Sequence, residues 1–170
     1  MSNALLYTEE DQARATALRR RRRLLVILPS ALLLVLAIAS FVWFRLHRDI
    51  SGWVWTGLLT VLAGGYFLFF YEVYLRPASL YKKHVDYMLS GRLRETTGIL
   101  TSLDTVAKDK DGLDCFALTV NVGQTNSPED ERLFYLDALK GLPACEVGDT
   151  VAVYTNDRMV AGITNAPKER

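Results

Sequence analysis

The chain is poor in the residues that carry most protein chemistry. Among 170 residues there are two cysteines, Cys115 and Cys145. Two thiols make at most one bridge, which excludes a disulfide scaffold, and their separation excludes a redox CxxC pair. Nothing matches a nucleophile set beside a base. His84 has no cysteine or carboxylate at metal-ligand spacing and reads as a surface residue. The acidic loop at residues 109–114 lacks the three ligand carboxylates before its glycine, and the glutamate after it, that calcium requires; a Lys-Asp-Gly hairpin turn accounts for it. There is no internal repeat, and the only low-complexity tract is an arginine run. No catalytic residue, metal ligand or cofactor site follows from such a sequence.

Charge is missing from two long stretches. Residues 24–44 form 21 consecutive positions without Asp, Glu, Lys or Arg. A helix of that length matches a hydrocarbon core of about 30 Å. Pro29 lies near its start, where a freed carbonyl finds water or a neighbour. The second uncharged run, residues 50–71, has Trp53 and Trp55 at one end and Phe67, Phe69, Phe70 and Tyr71 at the other, the aromatic belt of a spanning helix. Only the five residues 45–49 separate the runs, which predicts an antiparallel helical hairpin over residues 24–71.

Basic residues set the expected orientation. Arg19, Arg20, Arg21, Arg22 and Arg23 precede the first run, and Arg76, Lys82 and Lys83 follow the second, against Arg45 and Arg48 between them. The positive-inside rule then places both termini in the cytoplasm of a bacterial-type inner membrane. Residues 1–23 read as a basic cytoplasmic segment. A cleaved signal peptide is the competing reading, since Ala37, Ile38 and Ala39 suit a signal peptidase. The long leader containing Glu9, Glu10 and Asp11 argues against cleavage, as do the aromatic residues beyond the supposed cut.

The uncharged spans argue against a conduit, because pores and transporters hold ionisable groups within the bilayer. Ser30, Ser40, Thr56 and Thr60 are among their polar side chains, and such hydroxyls often bond to their own backbone. Gly57 reads as an ordinary membrane-helix glycine. Gly64 and Gly65 are candidates for helix packing, within the hairpin or with a partner.

Net charge divides the chain. Residues 1–91 hold 11 basic against 6 acidic residues, and residues 92–170 hold 9 against 13. The halves belong to two environments. Residues 72–91 form a connector in which Pro77 ends the membrane helix and opens a new one. There Leu80, Tyr81, Val85, Met88 and Leu89 share one side, while Lys82, Lys83 and Asp86 face away. That apolar side lies on the inner leaflet or packs on the following domain.

From residue 92 to 165 the period changes from 3.6 to 2. Five strand candidates cover residues 96–106, 115–122, 132–138, 149–155 and 158–163, the last two joined through Asn156 and Asp157. In the second, Phe116, Leu118, Val120 and Val122 share a face. The fold class is therefore a membrane α-helical hairpin plus a small all-β domain, a five-stranded barrel of the OB or SH3-like kind, with a tail at 166–170. Helices first, barrel second and the element "VGDTVAVYT" at residues 147–155 resemble NfeD-like membrane proteins. That resemblance implies an OB-like barrel attached to membrane helices and used for interactions, and it carries over no site residue.

The acidic balance and core-bound rings of this half exclude a nucleic-acid partner. Its longest irregular segment, residues 123–131, contains Glu129, Asp130 and Glu131, candidate partner-binding residues on an exposed loop. The expected function is a non-catalytic, membrane-anchored adaptor or assembly protein without cofactors. Its partners are the lipid bilayer and a protein, or a second copy, met through the barrel or the second helix. The alternative is a subunit of an oligomeric channel or transporter, with the barrel as cytoplasmic vestibule.

Overall fold

The computed structural model describes residues 5–48, 50–123 and 127–166. Residues 167–170 of the expected tail at 166–170, and the acidic-loop positions 124–126, lie outside them. Two compact units divide the chain: Met1–Ala13 with Lys83–Arg170, and Arg14–Lys82.

Helix α1 runs unbroken over Glu9–His47. It begins well ahead of the apolar run, so the five arginines lie on a helix rather than on an extended leader. Glu9, Glu10 and Asp11 in the first turn complement the helix dipole, and the residues that follow are mostly good helix formers until Pro29. Proline cannot donate to the carbonyl four residues back, that of Leu25. The Tyr66 hydroxyl donates to that oxygen instead, at 3.0 Å. Helix α2, Ile50–Phe70, supplies Tyr66. A single π-turn, Tyr71–Leu75, follows, and the Arg76 N–H closes it on the Tyr71 carbonyl. Helix α3 then covers Arg76–Ser90, with Pro77 in its first turn, as the missing proline N–H favours. The helical stretches Glu9–His47 and Ile50–Ser90 are both long and apolar enough to cross a membrane.

The β unit has strands β1 Arg94–Leu103, β2 Lys108–Lys110, β3 Leu113–Asn121, β4 Glu131–Asp137, β5 Thr150–Asn156 and β6 Met159–Asn165. All five expected strands are present. Strand β2 is additional, folded onto β3 by Asp111 and Gly112, whose φ values of 57° and 81° give the hairpin turn that an Asp-Gly pair favours. The barrel closes in the cycle β1-β5-β6-β4-β3-β1, antiparallel except between β4 and β6. Closure depends on β1, which pairs with β5 along residues 94–99 and with β3 from Ile99 onward, through a bulge between Leu100 and Ser102. Gly98 sits at the bend. A Cβ there would collide with the Asn121 carbonyl oxygen, so only glycine allows so close a crossing.

Leu100, Leu118, Val120, Phe134, Leu136, Cys145, Val151, Val153 and Val160 form the core, with Phe116 and Val122 packed against it. Alternation on β3 therefore points inward as its pattern predicts. Val85 and Met88 of α3 are buried, and the Asn156 side-chain amide donates to the Tyr87 carbonyl at 2.9 Å. Of the two readings of the connector, the C-terminal part of α3 follows the second: it folds into the barrel's own unit.

Candidate functional site

The β unit recruits a segment that composition does not mark. Residues 5–7 run antiparallel along β6 as a strap, with Leu5 bridging Gly162 and the Leu6 N–H donating to the Ala161 carbonyl at 2.8 Å. Leu6 packs on the core. Thr8 then caps α1: its hydroxyl accepts from the Asp11 N–H, and Asp11 Oδ2 accepts from the Thr8 N–H at 2.9 Å. This is the reciprocal capping pattern, with aspartate in the third position.

Tyr7 holds the strap down. Its ring is 4% exposed. Its hydroxyl lies 2.8 Å from His84 Nε2 on α3 and 3.3 Å from Asp137 Oδ2 at the end of β4. One hydroxyl hydrogen serves one acceptor at a time, so both contacts are satisfied when His84 Nε2–H donates to Tyr7 and Tyr7 donates to Asp137. Asp137 Oδ1 accepts from the Leu139 N–H at 2.9 Å, which caps the short 3₁₀ turn Ala138–Lys140. Lys140 ends that turn. Its ammonium stands 4.9 Å from the Tyr7 ring centroid and pairs with Asp11 at 2.8 Å. Gln12 Nε2 donates to Asp86 Oδ1 at 2.9 Å, a second tie between the start of α1 and α3.

His84 is thus buried at 8% exposure, which corrects its reading as a surface residue. Its place beside Val85 on the inner side of α3 is the reason. Burial pushes its pKa below the usual histidine value, partly offset by the Asp137 charge. Burial alone would raise the Asp11 carboxyl, but hydrogen bonds from Lys140 and Thr8 hold it below its usual value.

The chemistry of this cluster is cohesive rather than reactive. A hydroxyl, an imidazole and a carboxylate meet, yet the carboxylate contacts the hydroxyl and all three side chains are buried, so the cluster lacks the ordering of a nucleophile–base–orienter triad. Cys115, paired across the sheet with Asp137, has its thiol pushed up to about 11 by burial and then by the nearby Asp137 and Asp114 charges. Burial also raises Cys145. Both are free cysteines and both are poor nucleophiles in these surroundings. Among the described residues no group of His, Cys, Asp and Glu could hold a metal ion. A shallow cleft of about 250 Å³ is lined by Pro143, Ala144, Cys145, Ile163, Thr164 and Asn165.

The remaining expected residues fall in three places. Glu129 and Glu131 are exposed, whereas Asp130 is half-buried and tucked against Gly123. Buried Asn121 fixes the base of their loop, donating to the Ser127 carbonyl at 2.8 Å and accepting from the Gly123 N–H at 3.0 Å. In the hairpin, Gly64 and Gly65 face open space. Close approach of α1 and α2 occurs at Gly52, where a Cβ would stand 2.8 Å from Phe44 Cβ. Ser30, Ser40, Thr56 and Thr60 each donate to a backbone carbonyl, Ser40 reaching across to that of Gly52. Arg19, Arg20, Arg21 and Arg23 are exposed on α1, Lys83 is exposed on α3, and Arg22 and Lys82 are half-buried.

No protein-family model, curated protein or solved structure matches this chain.

Proposed function

We propose that this chain is a non-catalytic, membrane-anchored adaptor: a two-helix hairpin crosses the membrane twice and presents an OB-like barrel to a protein partner in the cytoplasm. The observation that carries the reading is the return of the strap to the barrel. Residues 5–7 pair with β6 inside the unit that α3 enters, so the segments before α1 and after α2 belong to one folded body. An odd number of crossings would put a bilayer between those segments, and two crossings reunite them. The five arginines before the first apolar run, against two between the runs, favour the cytoplasm for that body.

The Greek-key cycle with its single parallel closure supports the OB-like reading of the barrel, and it suits the NfeD-like architecture. Hydroxyls engaged with backbone carbonyls leave the apolar helices little to offer a permeant ion, which favours an anchor over a conduit. The partner surface proposed is the rim formed by Glu129 and Glu131 with Leu133, an exposed leucine beside two acids, suited to a basic and partly apolar counterpart.

A photo-reactive residue at position 129, introduced in living cells, tests this reading against the same residue at position 111. A discrete adduct at 129, absent at 111 and lost on Glu131→Lys, is expected. Adducts at both positions alike, or at neither, would contradict it.

A further inference from the structure

Helix α1 passes through Arg19, Arg20, Arg21, Arg22 and Arg23 directly into the apolar Leu24. Five successive residues at about 100° each go more than once round a helix, so these charges form a collar and not a face. Arg22 turns toward α2 and donates from Nη1 to the Tyr74 carbonyl at 3.2 Å. That carbonyl belongs to the π-turn, so collar and π-turn stand at one level of the hairpin. At the same end α2 and the π-turn carry a stacked ladder: Tyr66 on Phe70 at 4.2 Å, and Phe70 on Tyr74 at 5.3 Å.

The other four guanidiniums are exposed and form no ion pair among the described residues, whereas Arg76 meets Glu72, Lys108 meets Asp104 and Lys140 meets Asp11. Arg19 also lies one turn from Arg22 and Arg23, a like-charge spacing that destabilises a helix unless anions relieve it. Where an apolar run begins, the available anions are lipid phosphates, and the planar guanidinium fork matches a phosphate in two-point fashion. The opposite end of the hairpin has Trp43, Trp53 and Trp55, and its charges are Arg45, Arg48 and Asp49, a net of one positive charge.

From the collar we infer a binding surface for anionic phospholipid headgroups, with Arg19, Arg20, Arg21 and Arg23 on the phosphates and the ring ladder Tyr66-Phe70-Tyr74 against the glycerol and upper acyl region. The inference rests on the membrane-anchored reading and adds to it a lipid class. The anchor selects anionic lipid at one leaflet and is indifferent at the other.

The full chain, reconstituted in phosphatidylcholine bilayers carrying spin-labelled phosphatidylglycerol or spin-labelled phosphatidylcholine, gives the relative association of the two probes. A preference of about fivefold for phosphatidylglycerol is expected for a lipid seated against one arginine. The quadruple variant Arg19→Gln/Arg20→Gln/Arg21→Gln/Arg23→Gln should bring the ratio close to one. Arg132→Gln/Arg158→Gln, which removes two exposed charges from the barrel, should leave it unchanged. A wild-type ratio near one, or equal loss in both variants, would overturn the inference while leaving the anchor standing. A chain that alkaline washing extracts from the vesicles would overturn the membrane reading and this inference with it.

Discussion

Replacing Tyr7 by phenylalanine removes one oxygen atom and keeps the buried ring. The lost group sits 2.8 Å from His84 Nε2 and 3.3 Å from Asp137 Oδ2. Asp137 is 2% exposed, and its other oxygen still accepts from the Leu139 N–H, so its charge remains partly satisfied. A hydrogen bond to a charged group contributes roughly 1.5–3 kcal/mol, and the longer of these two contacts points to the lower end, about 2 kcal/mol. The strap is short and bonded at one edge, so this loss should appear as local opening before the barrel unfolds. The reporter is the Leu6 amide, which donates to the Ala161 carbonyl at 2.8 Å. Its hydrogen exchange, followed on the full chain in detergent, should speed up about 30-fold for a 2 kcal/mol loss. Tyr74→Phe, at a 45%-exposed ring, should change nothing. If Leu6 exchanges within a factor of two of the native rate in Tyr7→Phe, the hydroxyl is no clamp and the account of the strap is wrong.

Because burial depresses the His84 pKa, the unfolded chain takes up a proton near pH 6.5 while the folded chain resists it. The stability that His84 permits is therefore complete above pH 6.5 and is lost as pH falls from there toward its folded value; a denaturant midpoint that drops from pH 7.5 to pH 5.5 in the native chain, and drops less in His84→Gln, is the expected result. Asp11 acts in a separate, lower window, below its ordinary value of 3.8. Gly52→Val should destabilise the hairpin by about 1–3 kcal/mol in a detergent-unfolding titration, since its first carbon already meets Phe44, while Gly64→Val should leave the isolated chain unaffected. Tyr66→Phe should cost about 1 kcal/mol in the same titration by leaving the Leu25 carbonyl without the donor that Pro29 took away.

Features with a local cause were legible in the sequence. Uncharged runs report helices that remain exposed in the structure, period-2 alternation reports β3 and β5, and the Asp111-Gly112 pair reports its own turn. Features whose cause lies far along the chain were not. Tyr7 meets a histidine 77 positions away and an aspartate 130 positions away. Nothing near residues 5–7 marks them as a strap, and His84 looked like a surface residue only while its partner was unknown. Its place beside Val85, at the edge of the apolar side of α3, is the signal that could have marked it as buried. Gly64 and Gly65 attract notice as an adjacent pair, but helix phase places them away from α1 and turns the solitary Gly52 toward Phe44. The start of α1 was hidden by its arginines, which read as a basic segment ahead of the apolar run although arginine is a good helix former.

The central claim is that the chain crosses a membrane twice and brings both of its ends to the same face. Cys115 and Cys145 are buried with raised pKa values, so single introduced thiols report alone in the native chain. Glu9→Cys, Arg48→Cys and Arg158→Cys probe exposed positions at the start of α1, between the helices and on the barrel. The account predicts that an impermeant maleimide labels Arg48→Cys in intact cells, and labels Glu9→Cys and Arg158→Cys only after the membrane is opened. Labelling of Glu9→Cys and Arg158→Cys from opposite sides, or loss of position 9 from the mature chain, would contradict it.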